Sequence, residues 1–219
     1  MVRENVFYLM SIYVLGINGS PRMGNTYEML NAVLSGASSH GGKTELLNLS
    51  EYEIRHCMGH PKEFCEKGCP LADDFKMIGS KLISADCIVI GSPTFMGDVS
   101  GLLKSFMDRS VQLRRSGFKL RNRVGAGLTV GAHIGGGQDL ALRTIHTFFL
   151  KHDMIVVSEG SPSSQAGVIA VARDLFDVVQ DKRVMNECKN LGRRVVEIAE
   201  MLAINGSLND HQDLNSLKP

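Results

Sequence analysis

The residues from Gly19 to Thr26, which read GSPRMGNT, are the stretch whose types and spacing could do chemistry. They follow an apolar run from Ile12 to Ile17 that is typical of a buried strand, and they precede apolar residues with helical spacing. A loop between a strand and a helix N-terminus offers backbone N–H groups and a partial positive charge to an anion. We therefore predict a phosphate site whose polar side chains are Ser20, Arg22, Asn25 and Thr26.

The spacing of this loop is that of the nucleotide-binding motif G-x-x-x-x-G-K-[ST], but Asn25 stands in the position of the lysine. That lysine neutralises the terminal phosphates of a nucleoside triphosphate, so its absence argues against triphosphate chemistry. The dinucleotide fingerprint G-x-G-x-x-G is also absent from the chain. A ligand with a single phosphate fits better. The alternative is an ordinary strand-to-helix turn in which Asn25 or Thr26 only caps the helix, and the spacing alone does not separate the two.

The elements that must position this loop alternate between strand-like and helix-like patterns. Apolar runs predict five strands, at about residues 12–17, 44–49, 87–90, 124–130 and 154–157. Helical periodicity predicts helices at about 26–37, 75–84, 100–109, 140–151 and 182–202. We expect one α/β domain over residues 12–204, with an irregular cysteine-containing insertion at 50–72. Residues 1–11 are expected to be an N-terminal extension and residues 205–219 a polar tail.

Such a chain is expected to form a doubly wound, five-stranded parallel sheet with strand order 2-1-3-4-5 and helices on both faces. Ligands bind to such sheets outside the carboxyl ends of the strands, where the strand order reverses, here between strands 1 and 3. The loop after the third strand, 91–97, would therefore meet the loop at 19–26. Its residues Pro93 to Gly97 would present backbone groups and an aromatic edge to a planar ring, and a planar ring with one phosphate suggests FMN. In the alternative, Phe95 and Met96 simply pack beneath the loop.

Composition excludes several classes of protein. Lysine and arginine number 24 against 23 acidic residues, with no basic stripe, so nucleic-acid binding has no electrostatic support. No apolar run approaches the ~20 residues of a membrane span, and the N-terminus lacks a cleavage pattern. The 5 cysteines are an odd number, which argues against a disulfide framework. Cys87 and Cys188 lie in apolar patterns and are expected in the core. We expect a cytoplasmic protein.

Three spaced motifs together resemble the NADPH-dependent FMN reductase family, and within it the iron–sulfur flavoproteins. They are GSPRxGNT after the first strand, GSPTFMG after the third, and GGQ in the loop at 131–138. The resemblance covers about residues 12–204. It implies a flavodoxin-like fold, bound FMN, and a homodimer or homotetramer that completes the site. By position it implies phosphate contacts from Ser20, Arg22, Asn25 and Thr26, ribityl and ring contacts from Pro93, Thr94, Phe95, Met96 and Gly97, and a further approach to the ring by Gly136 and Gln138.

The insertion at 50–72 departs from the pattern of the iron–sulfur members, which carry C-x-x-C-x-x-C and a fourth cysteine that together hold a [4Fe–4S] cluster. Here His60 replaces the second cysteine, and the later thiols are more widely spaced. The candidate metal ligands are Cys57, His60, Cys65 and Cys69. Three thiolates and one imidazole also form a common zinc set, and histidine replaces cysteine at some clusters. The family favours the cluster over zinc, and His56 is a rival to His60. The alternative is a loop that has lost its cluster and keeps the thiols.

No pair of side chains is spaced as a nucleophile and its base, so we assign no catalytic residue. Of the histidines considered, only His133 lies near the expected ring, and a solvated loop histidine is its simpler interpretation. The redox chemistry would come from FMN, which the protein orients. The expected activity is that of an FMN-dependent oxidoreductase or electron-transfer flavoprotein, with NAD(P)H or a small electron-carrier protein as donor and a quinone-like acceptor. The alternatives are an NAD(P)H-dependent quinone or FMN reductase without a cluster, and a non-catalytic, metal-stabilised flavin-binding module.

Overall fold

Strands and helices alternate along residues 11–204, the part of the chain that the computed structural model describes. The strands are β1 (Tyr13–Asn18), β2 (Lys43–Asn48), β3 (Cys87–Pro93), β4 (Val124–Gly131), β5 (Ile155–Val156) and β6 (Val168–Val171). The α-helices are α1 (Asn25–Ser38), α2 (Lys62–Lys67), α3 (Phe75–Ser84), α4 (Gly101–Arg109), α5 (Val111–Arg115), α6 (Gln138–Lys151) and α7 (Lys182–Ile204). The predicted extension lies outside the described residues except for Ser11, and the predicted tail lies wholly outside them.

The sheet is parallel and has the order β2-β1-β3-β4-β5, which confirms the predicted topology. Every residue of β4 is buried, and so is every residue of β3 except Pro93. Strands that are buried along their whole length are expected where helices cover both faces of a parallel sheet. One core lies between the sheet and helices α1 and α7, and the second lies between the sheet and helices α3, α4 and α6.

The fifth strand is split, which the sequence interpretation missed. The two residues of β5 pair with Val124 and Gly125, while β6 pairs further along β4, with Leu128 to Gly131. The intervening residues 157–167 turn back on themselves, since the Ser164 N–H donates to the Gly160 carbonyl at 2.7 Å. The strand predicted at 154–157 contains β5, whereas no strand was predicted at 168–171, where β6 lies.

Two short helices also lie where no helix was predicted. Helix α2 lies inside the cysteine-containing insertion, and α5 begins directly after α4. Each has six residues or fewer, which is less than two helical turns and too short for an amphipathic pattern. Among the helices within residues 11–204, none combines the length and apolar character needed to cross a membrane.

Candidate cofactor site

The loop after β1 and the loop after β3 are joined by hydrogen bonds. The Gly19 N–H donates to the Gly91 carbonyl at 2.8 Å, and the Ser100 hydroxyl donates to the Gly19 carbonyl at 2.5 Å. A Cβ atom on Gly19 would lie 2.9 Å from both the Gly91 oxygen and the Leu103 Cβ, so only glycine allows this approach. The two loops that the strand order was expected to bring together therefore meet at one edge of the sheet.

Ser20 and Thr26 line a cleft of about 110 Å³ at this junction. Both residues are buried, with 4% and 2% of their surface exposed. Internal hydrogen bonds fix the loop: the Ser20 N–H donates to Asn18 Oδ1 at 3.1 Å, and the Arg22 N–H donates to Ser20 Oγ at 3.2 Å. The cleft is smaller than the roughly 300–1,000 Å³ of pockets that enclose drug-sized ligands. It has room for a phosphate and the adjoining chain, and a planar ring system would lie outside it.

Asn25 lines the same cleft as the other predicted phosphate ligands, but its side-chain amide is bonded to another segment. Its Nδ2 donates to the Asp174 carbonyl at 2.8 Å, and its Oδ1 accepts from the Val178 N–H at 3.2 Å. Both polar atoms of the side chain therefore bind the segment after β6. The predicted contact between Asn25 and a phosphate remains a prediction, and only the second amide N–H is left to make it.

Residues Phe95 to Asp98 form a tight two-residue turn beside the cleft. Met96 and Gly97 both have positive φ angles, 50° and 82°, and backbone hydrogen bonds of 2.8 and 3.1 Å join Phe95 to Asp98. The Met96 side chain is fully exposed and Phe95 is 43% exposed. The alternative in which both pack beneath the loop is therefore wrong. The turn instead presents apolar surface next to the cleft, where a planar ring could lie.

The loop after β4 packs directly on this turn. Gly137 has a φ of 96°, and a Cβ atom there would lie 2.6 Å from the Gly97 Cα. Gln138 is buried, and its Nε2 donates to the His133 carbonyl at 2.7 Å. The Gln138 side chain therefore shapes the loop, as does the N–H of Gly136, which also donates to the His133 carbonyl, at 3.2 Å. Ring contacts from Gly136 and Gln138 remain predictions.

The residues around the cleft fit a phosphorylated cofactor in one further respect. Thr94 Oγ1 is buried and has no hydrogen-bond partner within the described part of the chain. Thr94 lines the cleft together with Pro93, Phe95 and the loop at 130–132. Buried polar atoms without a partner are uncommon in proteins, and a bound ligand is one way to satisfy them.

The four predicted metal ligands line one small cavity of about 10 Å³, whereas His56 does not line it. Arg115 Nη1 lies 3.5 Å from Cys65 Sγ, and Arg109 Nη2 lies 3.7 Å from Cys69 Sγ. Over residues 11–204, no three histidine, cysteine or acidic side chains are arranged to hold a metal ion. The four side chains are therefore of types that bind metals and they line one cavity, but within residues 11–204 they are not arranged as in a metal centre. Cys87 and Cys188 are buried in the core, as predicted.

Arg109, which the sequence interpretation did not single out, fastens the cysteine segment to α4. It forms a buried, two-pronged ion pair with Asp73 and donates to the Arg55 carbonyl at 3.1 Å. Burial alone would raise the pKa of Asp73, but hydrogen bonds from Arg109 and from the Arg55 and Phe75 N–H groups outweigh it and hold the pKa below its ordinary value. No local pattern marks this pair, because its members lie 36 residues apart.

A larger groove, of about 1,030 Å³, runs from the Met96–Gly97 turn to Cys57 between α6 and the pair α4 and α5. Its charged lining residues are the cations Lys104, Arg114, Arg115, Arg143 and Lys151 and the carboxylates Asp98 and Asp108. Lys104 pairs with Asp108 at 2.5 Å. The groove therefore carries a clear excess of positive charge, which the overall net charge of the chain, +1, does not reveal.

His152 lines this groove and contacts Ser110, but the pair is not a nucleophile and its base. The Ser110 hydroxyl donates to the Met107 carbonyl at 2.6 Å, so it accepts from His152 Nε2, which lies 2.7 Å away. The histidine nitrogen facing the hydroxyl must then carry the proton and cannot remove another.

Comparisons with known proteins show the family to which the chain belongs. Residues 12–168 match the model of the NADPH-dependent FMN reductase family. An iron–sulfur flavoprotein of Methanocaldococcus jannaschii is 40% identical over 190 residues, which are 86% of this chain and 98% of the relative. One of Archaeoglobus fulgidus is 34% identical over 193 residues, covering 85% and 95% of the two chains.

Solved structures share the fold. A WrbA-like flavodoxin from Agrobacterium tumefaciens superposes with a TM-score of 0.63 at 22% identity, covering 87% of this chain and 99% of that one. An NADH:FMN oxidoreductase in its apo form gives a TM-score of 0.64 at 17% identity, covering 95% and 100%. The family resemblance and the fold expected from the motifs are both confirmed. The chain therefore belongs to the NADPH-dependent FMN reductase family and is an FMN-dependent oxidoreductase with a flavodoxin-like fold.

Proposed function

We propose that the FMN phosphate binds in the cleft at Ser20, Arg22 and Thr26, and that the ring lies over the Phe95–Gly97 turn. The observation that carries this proposal is the convergence of three loops, after β1, β3 and β4, on one cleft beside an exposed apolar turn. When bound, FMN supplies hydride and single-electron transfer. The chain's own residues bind the phosphate, orient the ring and leave one face of it open.

The basic groove beside the turn supports an anionic electron donor, and NAD(P)H fits because it carries phosphate groups. Of the groove's cations, Arg143 and Lys151 form no ion pair within residues 11–204 and are free to meet a phosphate. A small electron-carrier protein is the other donor that we consider, with a quinone-like molecule as acceptor. We also propose a cytoplasmic homodimer or homotetramer, since Met96 and Ile134, in the loops after β3 and β4, are almost fully exposed apolar side chains that a second copy would cover.

We further propose that Cys57, His60, Cys65 and Cys69 hold a [4Fe–4S] cluster, with zinc as the second candidate. Two observations support this. All four side chains line one cavity, and the guanidinium groups of Arg109 and Arg115 lie beside two of the sulfur atoms, where they would offset thiolate charge. The two relatives described above are also named iron–sulfur flavoproteins.

The absorbance spectrum of the purified protein, combined with iron, sulfide and zinc analysis, tests both proposals. Flavin bands together with iron and sulfide are expected. Flavin bands together with zinc, and without iron and sulfide, would show that the cysteine segment binds zinc and not a cluster. Protein that binds no flavin even after FMN is added would contradict the central proposal. Cys65→Ser and Cys69→Ser should lose the metal, whereas Met58→Ser, which changes a non-ligand residue of the same cavity, should keep it. Oxidation of NADPH with a quinone acceptor then separates an enzyme from a flavin-binding module.

A further inference from the structure

The segment after β6 lines the cleft next to the loop at 19–26. The Ala172 N–H donates to the Gly131 carbonyl at 3.0 Å, which extends the ladder between β6 and β4 by one residue. Arg173 therefore leaves the sheet at its carboxyl edge. Ala172, Arg173 and Leu175 line the same cleft as Ser20 and Arg22, so the cleft has two walls that are distant in sequence.

Asn25 holds this second wall in place. Through its bonds to the Asp174 carbonyl and the Val178 N–H, it fastens the start of α1 to the segment. The segment is also fixed from within, because the Asp177 carboxylate accepts from the N–H groups of Arg173 and Asp174 at 3.1 and 2.8 Å. Gly24 leaves room for the contact, since a Cβ atom there would lie 2.8 Å from Leu175 Cδ2.

The two walls each carry one arginine at the cleft, Arg22 and Arg173. Neither forms an ion pair with a carboxylate anywhere in residues 11–204. A phosphate monoester carries about −1.5 to −2 charges near pH 7, because its second pKa is about 6. One arginine balances only part of that charge, whereas one arginine from each of the two segments that line the cleft would match the dianion.

We propose that Arg173 is a second cation for the phosphate of the bound flavin and that Asn25 is the positioning residue that holds it at the cleft. This inference rests on the proposed FMN site. It predicts that the wall at 172–175 selects flavin with a terminal phosphate monoester over unphosphorylated riboflavin. Asn25 then acts on the phosphate through Arg173, which differs from the direct contact that the motif implies.

Titrations of the full chain, freed of flavin, with FMN and with riboflavin test the inference. Arg173→Gln should weaken FMN binding by about tenfold, the loss of one charge-assisted contact, and leave riboflavin binding within about twofold. Asn25→Leu should have a similar effect on FMN. The double variant should lose no more than either single variant, because both act through one contact. Lys76→Gln, which removes an exposed charge from α3, is the matched control and should bind both flavins as the unaltered chain does.

The pH dependence gives a readout that a general loosening of the fold would not change. Between about pH 7.5 and pH 5 the phosphate becomes a monoanion, so FMN affinity should fall in the unaltered chain and fall less in Arg173→Gln. Unchanged FMN affinity in Arg173→Gln, equal losses for FMN and riboflavin in Asn25→Leu, or additive losses in the double variant would each overturn the inference. An unaltered chain that binds neither flavin would instead overturn the proposed FMN site.

Discussion

At the scale of single residues, His152 combines burial with a titratable ring. It is 3% exposed, its Nε2 donates to Ser110, and its Nδ1 is buried without a partner among the described residues. Burial, helped by the charge of Arg114, lowers its pKa to about 4. The folded protein therefore keeps this ring neutral over a pH range in which the unfolded chain protonates it.

This difference predicts a loss of stability in acid. Above about pH 6.5 the ring is neutral in both the folded and the unfolded state. Between about pH 6.5 and pH 4 only the unfolded state takes up the proton, so the free energy of unfolding decreases as the pH is lowered. His152→Gln should make the loss between pH 7 and pH 4.5 smaller by about 2 kcal/mol, as measured by urea unfolding. The exposed His40→Gln is the control and should leave the loss unchanged. If His152→Gln lost as much free energy of unfolding between pH 7 and pH 4.5 as the unaltered chain, groups other than His152 would be the cause of the loss.

Residues that act within one loop could be predicted from sequence, and residues that act across the chain could not. Ser20 and Thr26 belong to a strand–loop–helix pattern whose parts are adjacent, so their position beside a cleft follows from local structure. The partner of the Asn25 amide lies 149 residues away, and Ser110 lies 42 residues from His152. Such contacts depend on the packed fold, so a single sequence gives no local sign of them.

At the scale of elements, helices α1 and α7 cross in close contact. A Cβ atom on Gly192 would lie 1.9 Å from the Val33 carbonyl oxygen, and one on Gly36 would lie 2.1 Å from the Lys189 oxygen. The two helices therefore touch through their backbones, and glycine is needed on both sides. The crossing also fixes α1, whose first turn carries Asn25 and Thr26 at the proposed cofactor site.

Gly192→Ala should destabilise the fold by about 2 kcal/mol or more, because the added methyl group forces the helices apart and outweighs the gain in helix propensity. Gly101→Ala at the start of α4 is the matched control. A Cβ atom there meets nothing within 4 Å, so that change should be neutral or stabilising by up to about 1 kcal/mol. Equal unfolding midpoints for the two variants would contradict the backbone contact. Chemical denaturation followed by circular dichroism measures both.

Elements with a long apolar pattern were predicted correctly, and short elements were not. Strands β1, β3 and β4 and helices α1, α6 and α7 each carry enough apolar residues for a clear period. Strand β6 and helices α2 and α5, which were missed, have four to six residues, so tertiary contacts define them rather than any repeating pattern. The cysteine segment, which contains α2, is one of these short, irregular parts of the chain. Its sequence shows which residue types could bind a metal, but it does not show how they are arranged in space.

At the scale of the whole molecule, the basic groove joins the proposed flavin site to the cysteine segment across three helices. Arg143→Gln should raise the KM for NADPH by about tenfold, the loss of one charged contact, and change kcat much less. Lys76→Gln removes the same charge elsewhere and should leave the KM unchanged. Steady-state oxidation of NADPH by a quinone checks this. A KM that is the same in both variants would place the donor outside the groove.

The split fifth strand has a further consequence, for how the protein behaves at high concentration. The sheet ends on this side in β5 and β6, whose two and four residues are separated by residues 157–167. A long, straight edge strand offers a continuous row of unpaired N–H and carbonyl groups to another molecule, which favours aggregation. Here the row is broken in the middle by a loop that turns back on itself. The same interruption that sends the chain on towards Arg173 therefore protects the open edge of the sheet from pairing with a neighbour.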